Sequence, residues 1–151
     1  MDAPLIAAFA FARNISHRTL SALSVSTKLI LPSRPRPKDV EQLLIKLQVL
    51  QPQFILGLGQ YSRRDKDKLR IETQCSSPEK VDYKIDSFLS PSTNAKFAKG
   101  IGNSSCNRVC FEIIKAVKIG LFNSQFTFVH IPKTFDPAAA ACEIEKMVVN
   151  A

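Results

Sequence analysis

The sequence predicts an α/β protein with a mainly parallel sheet and helices on both faces. The first observation is that apolar, β-rich runs alternate along the chain with helical patterns, and parallel strands need such crossover connections. The strand runs are residues 5–9, 25–31, 54–59 and 126–132, and the clearest helical patterns are 38–50 and 108–117. The second is that residues 54–59 are apolar throughout and end in glycine, which is typical of a parallel strand buried on both faces.

Length and composition predict one domain that spans residues 1–151. Apolar residues make up 45% of the chain and charged residues 23%, as in soluble globular proteins. A chain of this size buries about two-thirds of its unfolded surface. Residues 5–12 are apolar but follow Asp2 without a basic segment, so we predict a buried first strand rather than a signal peptide. No run approaches the ~20 apolar residues of a membrane span. We therefore expect a cytoplasmic protein without a membrane partner.

The first half of the chain predicts two strands and two helices before the glycine-ended strand. Residues 16–23 predict a short helix, and the strand at 25–31 ends at a proline-rich linker, residues 32–37. The next helix is strongly amphipathic, with Pro37 and Asp39 suited to its first turn. Its apolar positions are Val40, Leu43, Leu44, Leu47 and Leu50.

The second half contains a polar stretch between two ordered regions. Leu69 and Ile71 share one face of a short segment, and residues 76–99 are polar except for an alternation at 81–86 that predicts an edge hairpin. Helical spacing then recurs at Val109, Cys110, Ile113 and Val117. Gly120 ends that helix, Pro132 ends the last strand, and residues 138–149 predict a final helix.

Cys106 and His130 form the candidate reactive pair. Cys106 falls in the first turn of a predicted helix, with Ser104 or Ser105 as a suitable N-cap. The positive end of a helix dipole favours a thiolate over a thiol there. His130 lies near the end of the last predicted strand. A loop, helix and strand unit can bring the two together for nucleophilic catalysis.

The motifs around this pair resemble the pyroglutamyl peptidase (pyrrolidone-carboxylate peptidase) family of cysteine peptidases. The family carries a Gly-x-x-x-Cys-Asn turn and a Phe-Ile-His-Val-Pro strand, to which Gly102, Cys106 and Asn107 and then residues 128–132 are similar. The interval from Cys106 to His130 fits the family without a gap, whereas aligning Cys110 loses both the Cys-Asn pair and the interval. The resemblance implies a three-layer α/β/α fold.

The same resemblance implies roles for three residues. Cys106 would be the nucleophile, and His130 the general base and then the general acid. Glu72 lies in a segment similar to the family's Ile-x-Ile-Glu-Arg, whose glutamate is the third catalytic residue. Asp67 is a rival, because residues 67–69 could align with the family's Glu-Arg instead. Without the resemblance, Glu72 would be read as an exposed strand carboxylate.

The resemblance also implies substrate-binding residues. Phe9 and Phe11 are similar to aromatic residues of a family loop that line the pyroglutamyl pocket, although both also fit as core aromatics. Gln60 is similar to the glutamine of the family's Gly-Gln-Ala-Gly-Gly-Arg segment. Residues 76–99 are shorter than the corresponding family region, which carries pocket residues. The sequence therefore leaves open whether the enzyme is active.

Neither a metal nor a cofactor is expected. The four cysteines form no Cys-x-x-Cys pair, and His17 and His130 are the only histidines that could complete a zinc site. Acyl transfer by a cysteine also needs no cofactor.

A nucleic-acid partner is not expected either. The net charge is +8, but the basic stretches at residues 34–38 and 63–70 lack interleaved aromatics and a recognition element. We expect salt-dependent binding of DNA or RNA to be weak and without a preferred sequence.

Three functions therefore stay open at the level of sequence. The first is a cysteine exopeptidase that removes an N-terminal pyroglutamyl residue, with an N-terminally blocked peptide as substrate. The second is an inactive peptidase-like binding protein. The third is a basic nucleic-acid-binding α/β domain. The sequence leaves the oligomeric state open, a homo-oligomer included.

Overall fold

The computed structural model describes residues 4–61, 67–76, 82–99 and 105–149, in which eight strands and four helices are found. The strands, in chain order, are β1 (Ile6–Phe11), β2 (Thr27–Leu31), β3 (Phe54–Tyr61), β4 (Leu69–Glu72), β5 (Gln74–Ser76), β6 (Asp82–Lys84), β7 (Ala95–Ala98) and β8 (Gln125–Pro132). The helices are α1 (Ile15–Ala22), α2 (Pro37–Leu50), α3 (Ser105–Lys118) and α4 (Pro137–Val149).

Six of these strands form one twisted layer between two layers of helices. The strand order is β2-β1-β3-β8-β4-β7. Every neighbouring pair is parallel except β4 and β8, which are antiparallel. One apolar cluster joins the sheet to α2 and α3, and a second joins its other face to α1 and α4. The predicted single-domain α/β/α fold with a mainly parallel sheet is confirmed.

The helices follow their sequence signals closely. The backbone N–H of Arg36 donates to the Asp39 carboxylate at 2.8 Å, which fixes the start of α2, and Val40, Leu43 and Leu47 are its buried face. After α3, Gly120 adopts a φ of +82°, a left-handed conformation that glycine reaches without steric cost. No helix in the described part of the chain is long and apolar enough to span a membrane.

Three expectations about strands need correction. The first strand runs on to Phe11, so the stretch compared with a family loop is strand. The predicted edge hairpin is not at the edge of the main sheet, because β6 pairs with β5 in a separate two-stranded sheet. The main sheet ends instead in β7, which was not predicted because its four residues, Ala-Lys-Phe-Ala, are too few to show an alternation.

The fold brings the carboxyl ends of several strands together at one end of the sheet. Parallel strands β1, β3 and β8 all end there, and the register joins Gly59 of β3 to His130 of β8. Along β8, Phe128 belongs to the apolar cluster under α3, whereas Val129 and Ile131 belong to the cluster under α4. His130 therefore points to the α3 face, since side chains alternate along a strand.

Candidate active site

Cys106 lies in the first turn of α3 with its sulfur against β3, near the carboxyl end of that strand. A methyl group placed on Gly59 would lie 2.7 Å from the Cys106 Sγ atom and 2.8 Å from the Phe128 ring. Only a residue without a Cβ leaves room for the thiol at this position. Because Gly59 is the register partner of His130, the thiol lies beside the strand pair that carries the imidazole.

His130 is buried and hydrogen-bonded to a buried carboxylate. Its Nδ1 atom lies 2.8 Å from Oε1 of Glu72, and the two residues are 4% and 0% exposed. A carboxylate can only accept, so Nδ1 carries the proton of this hydrogen bond. In the neutral imidazole, Nε2 is then the atom that can accept a proton. The geometry thus prepares the histidine to act as a base.

The alternation of β4 explains why Glu72 reaches this position. Leu69 and Ile71 face the α1 and α4 side in the core, so Arg70 and Glu72 face the α3 side. The antiparallel register pairs Arg70 with His130. Asp67 lies before β4 and is exposed. The carboxylate that contacts His130 is therefore that of Glu72, not that of Asp67.

Arg70 and Tyr61 extend this chain of contacts. The Arg70 Nε atom lies 3.5 Å from Oε1 of Glu72, and its Nη1 donates to the Tyr61 hydroxyl at 3.3 Å. The guanidinium also lies over the Tyr61 ring, 4.3 Å from its centroid. Sequence reading missed both residues. The alternation of side chains along a strand could have indicated Arg70, because residues 70 and 72 lie on the same face of β4.

The buried cysteines differ from Cys106 in their chemistry. Burial, and then the charge of Asp82, raises the pKa of Cys75 to about 12. Burial also raises the pKa of Cys110 well above its ordinary value, and the neighbouring acidic groups of Cys106, Cys75 and Glu72 add to the effect when they are ionised. Both stay protonated thiols near neutral pH, and Cys142 is exposed on α4. Of the four cysteines, Cys106 alone is partly exposed and lies against Gly59, the register partner of His130.

Asn107, the residue after Cys106 in the Cys-Asn motif, connects α3 to β5, a role that the sequence did not indicate. Its side-chain amide accepts from the Ser76 backbone N–H at 2.8 Å and donates to the Ser76 carbonyl at 2.6 Å. This clasp ties the end of β5 to the first turn of α3. Ser105 lies within α3 and is therefore not its N-cap, whereas Gly102 and Ser104 lie outside the described residues, so the N-cap role of Ser104 stays a prediction.

The predicted substrate-binding residues are placed as follows. Phe9 and Phe11 are 1% and 2% exposed, and their rings meet edge to face in the core between the sheet and α2 and α3. The Phe9 ring also packs against Phe128. Gln60 is partly buried, and its Oε1 accepts from the Ile15 N–H at the start of α1, at 3.3 Å. Their contact with a substrate stays a prediction.

The arrangement as a whole is suited to nucleophilic chemistry. It joins a partly exposed thiol at a helix N-terminus, an imidazole and a buried carboxylate that orients the imidazole. Within the described ranges, no group of three or more His, Cys, Asp or Glu residues could hold a metal ion.

Comparison with known proteins supports the fold. No family model matches the sequence, and no curated protein matches it. Solved structures do match. Pyroglutamyl peptidase I from Bacillus amyloliquefaciens superposes with a TM-score of 0.75 at 12% identity, over 99% of this chain and 95% of that chain. The chain has the fold of the pyroglutamyl peptidases.

Two further structures agree. Pyrrolidone carboxyl peptidase from Thermus thermophilus matches with a TM-score of 0.66 at 13% identity, over 95% of this chain and 98% of that chain. A mutant of the Pyrococcus furiosus pyrrolidone carboxyl peptidase gives a TM-score of 0.69 at 14% identity, over 96% of each chain. Identities this low carry the fold and leave the activity to chemical argument.

Proposed function

We propose that this protein is a cysteine peptidase that removes an N-terminal pyroglutamyl residue from peptides. The proposal rests above all on one observation, the buried hydrogen bond between Glu72 and His130 beside Cys106. It is supported by the fold, which is that of proteins called pyroglutamyl peptidase or pyrrolidone carboxyl peptidase. Cys106, His130 and Glu72 are the proposed catalytic group.

The proposed reaction is acyl transfer through a thioester. Nε2 of His130 takes the proton of the Cys106 thiol, and the thiolate attacks the carbonyl carbon of the pyroglutamyl amide. Backbone N–H groups around Cys106, at the N-terminus of α3, stabilise the negative oxygen that forms. The imidazolium then gives its proton to the departing amine as the carbon–nitrogen bond breaks.

The second half of the reaction restores the enzyme. Nε2 of His130 takes a proton from water, and the hydroxide attacks the thioester carbonyl. The carbon–sulfur bond breaks, free pyroglutamate leaves, and the sulfur recovers its proton from the imidazolium. Glu72 stabilises the imidazolium in both halves and keeps Nε2, rather than Nδ1, directed at the reacting atoms. No cofactor takes part in this scheme.

The proposed substrate is a peptide whose first residue is cyclised and uncharged. Phe9, Phe11 and Gln60 remain the proposed pocket residues. Since both phenylalanines are buried, they would form the packed wall behind the ring, and the partly buried Gln60, which accepts from the Ile15 N–H, would border the pocket from the α1 side. An apolar wall favours the neutral lactam over a charged α-amino group, because burying an unpaired charge is costly.

The direct test is the release of a fluorophore from a pyroglutamyl amide by purified protein. We expect hydrolysis by the wild type and by the exposed-cysteine control Cys142→Ala, and none by Cys106→Ala. A prolyl amide, which has a five-membered ring but a charged amine, should not be cleaved. If the folded wild type cleaves no pyroglutamyl amide, the proposal is wrong and the inactive binding protein becomes the better account.

A further inference from the structure

We propose that Arg70, held by Tyr61, is a positioning residue that fixes the Glu72 carboxylate for its work on His130. The kinetic consequences of this inference rest on the proposed function, but the positioning of Glu72 by Arg70 does not depend on it. Arg70 is not among the residues that the family resemblance singled out. The inference comes from contacts among three strands, β3, β4 and β8.

The contacts converge on one oxygen atom. Oε1 of Glu72 lies 2.8 Å from His130 Nδ1 and 3.5 Å from Arg70 Nε. In the described part of the chain, Oε2 of Glu72 has no hydrogen-bond partner. The orientation of the carboxylate is therefore set by the imidazole and by the guanidinium. Without Arg70, the only described residue to hold the carboxylate would be His130, the residue that it has to orient.

Tyr61 makes Arg70 suitable for this task. The guanidinium lies over the Tyr61 ring within the range of a cation–π contact, with 4.3 Å between its carbon and the ring centroid, and it donates to the hydroxyl of the same residue at 3.3 Å. Two contacts from one residue restrict the Arg70 side chain to a narrow range of rotamers. A planar guanidinium loses less freedom per hydrogen bond than a lysine ammonium would.

Burial strengthens the attraction between Arg70 and Glu72. The side chains of Arg70 and Glu72 are only 13% and 1% exposed, so water screens their attraction weakly. The chain also has a surface counterpart, Arg36 with Asp39, at 3.3 Å between Nε and Oδ2 and with Arg36 76% exposed. An exposed pair of this kind contributes little to stability. It serves as the matched control for the buried pair.

The kinetic test is a double-mutant cycle on pyroglutamyl-amide hydrolysis. Arg70→Gln should lower kcat about tenfold with little change in KM, the usual effect of losing a hydrogen bond to a charged group. Arg70→Lys should recover part of the loss, and Arg36→Gln should have no effect. In a Glu72→Gln background, Arg70→Gln should cost nothing more. A full additional loss in that background would overturn the inference.

A second measurement keeps the inference testable if the protein proves inactive. With only His17 and His130 in the sequence, the Nδ1–H signal of His130 can be assigned by nuclear magnetic resonance. It should be present in wild type and Arg36→Gln, absent in Glu72→Gln, and shifted and broadened in Tyr61→Phe and Arg70→Gln. An unchanged signal in folded Arg70→Gln would show that Arg70 does not position Glu72. Wild-type protein without hydrolysis but with this pattern would reject the proposed function alone.

Discussion

The two faces of the central sheet differ in the side chains that the same strands bury there. On the α1 and α4 face, Leu58, Ile71 and Val129 pack into an aliphatic core and are 0% exposed. On the α3 face, the neighbouring positions are Gly59, Glu72 and His130, of which the last two are polar and almost equally buried.

This difference separates stability from chemistry within a few residues. Burying an aliphatic side chain stabilises the fold by about 1.5–3 kcal/mol. Burying a carboxylate costs free energy unless it is paired and hydrogen-bonded, which is the situation of Glu72. Changes at the polar positions of the α3 face should therefore reduce activity, and changes at the aliphatic positions of the α1 and α4 face should reduce stability.

The largest effect on activity is expected from the buried carboxylate. Glu72→Gln should lower kcat by about 10³- to 10⁴-fold with KM little changed, since the imidazolium loses its counter-charge and the tautomer is no longer fixed. Steady-state kinetics on a pyroglutamyl amide measures this. Asp67→Asn, at an exposed position, should be nearly silent. A damaging Asp67 change with a tolerated Glu72 change would reverse the assignment.

The opposite face should show the reverse behaviour. Ile144 lies fully buried on α4, so Ile144→Ala should lower the free energy of unfolding by about 2–5 kcal/mol through lost burial and the cavity that remains. Urea denaturation gives the value. The kcat of the folded fraction should stay within about twofold of wild type. Ile45→Ala, at a residue 46% exposed on α2, is the control and should cost far less. A large fall in kcat for Ile144→Ala would contradict the distinction between the two faces.

Two glycines of β3 distinguish packing from chemistry within the α3 face itself. A methyl group at Gly57 would lie 2.5 Å from the Phe128 ring and 2.6 Å from the Phe9 ring, whereas one at Gly59 would meet the Cys106 sulfur at 2.7 Å. Both alanine variants should be destabilised. Only Gly59→Ala should also lower kcat per folded molecule, by about 10²-fold, because it displaces the thiol. Equal kinetic losses in the two variants would contradict this placement of Cys106.

The smallest effect expected is a difference in labelling among thiols. Iodoacetamide reacts with thiolates, so at neutral pH Cys106 should be alkylated first and Cys142 more slowly. Cys75 should stay protected until the pH approaches 12, because burial raises its pKa to about 12 and the thiol form persists below that value. Peptide mapping by mass spectrometry identifies each site. Faster alkylation of Cys75, Cys110 or Cys142 in the folded protein would contradict the assignment of Cys106.

Much of the fold was predictable because periodicity reports burial. The apolar spacing of α2 reflects one buried stripe, and the apolar run at residues 54–59 of β3 reflects two buried faces. Both patterns can be recognised without knowing what packs against them. β7 was not predicted, because it is a four-residue edge strand in which Phe97 is 51% exposed and Lys96 stands between apolar residues. Edge strands keep polar residues that hide their alternation.

The candidate site was predictable only in part. Cys106 and His130 stand in local motifs that can be read along the chain. The burial of Glu72 could not be read in this way, since carboxylates are mostly at the surface and the pairing depends on β4 lying antiparallel to β8. The stack of Arg70 on Tyr61 joins two different strands and has no local signature at all.

The most direct test of the central claim is to trap the acyl-enzyme. Wild-type protein mixed with a pyroglutamyl amide and quenched in acid within one turnover should carry a pyroglutamyl thioester, and peptide mapping by mass spectrometry locates it. The account predicts the added group on the peptide that contains Cys106, with more of it in Glu72→Gln if that change slows hydrolysis of the thioester. Fluorophore release with the group on Cys75, Cys110 or Cys142, or with no acylated cysteine in any variant, would contradict it.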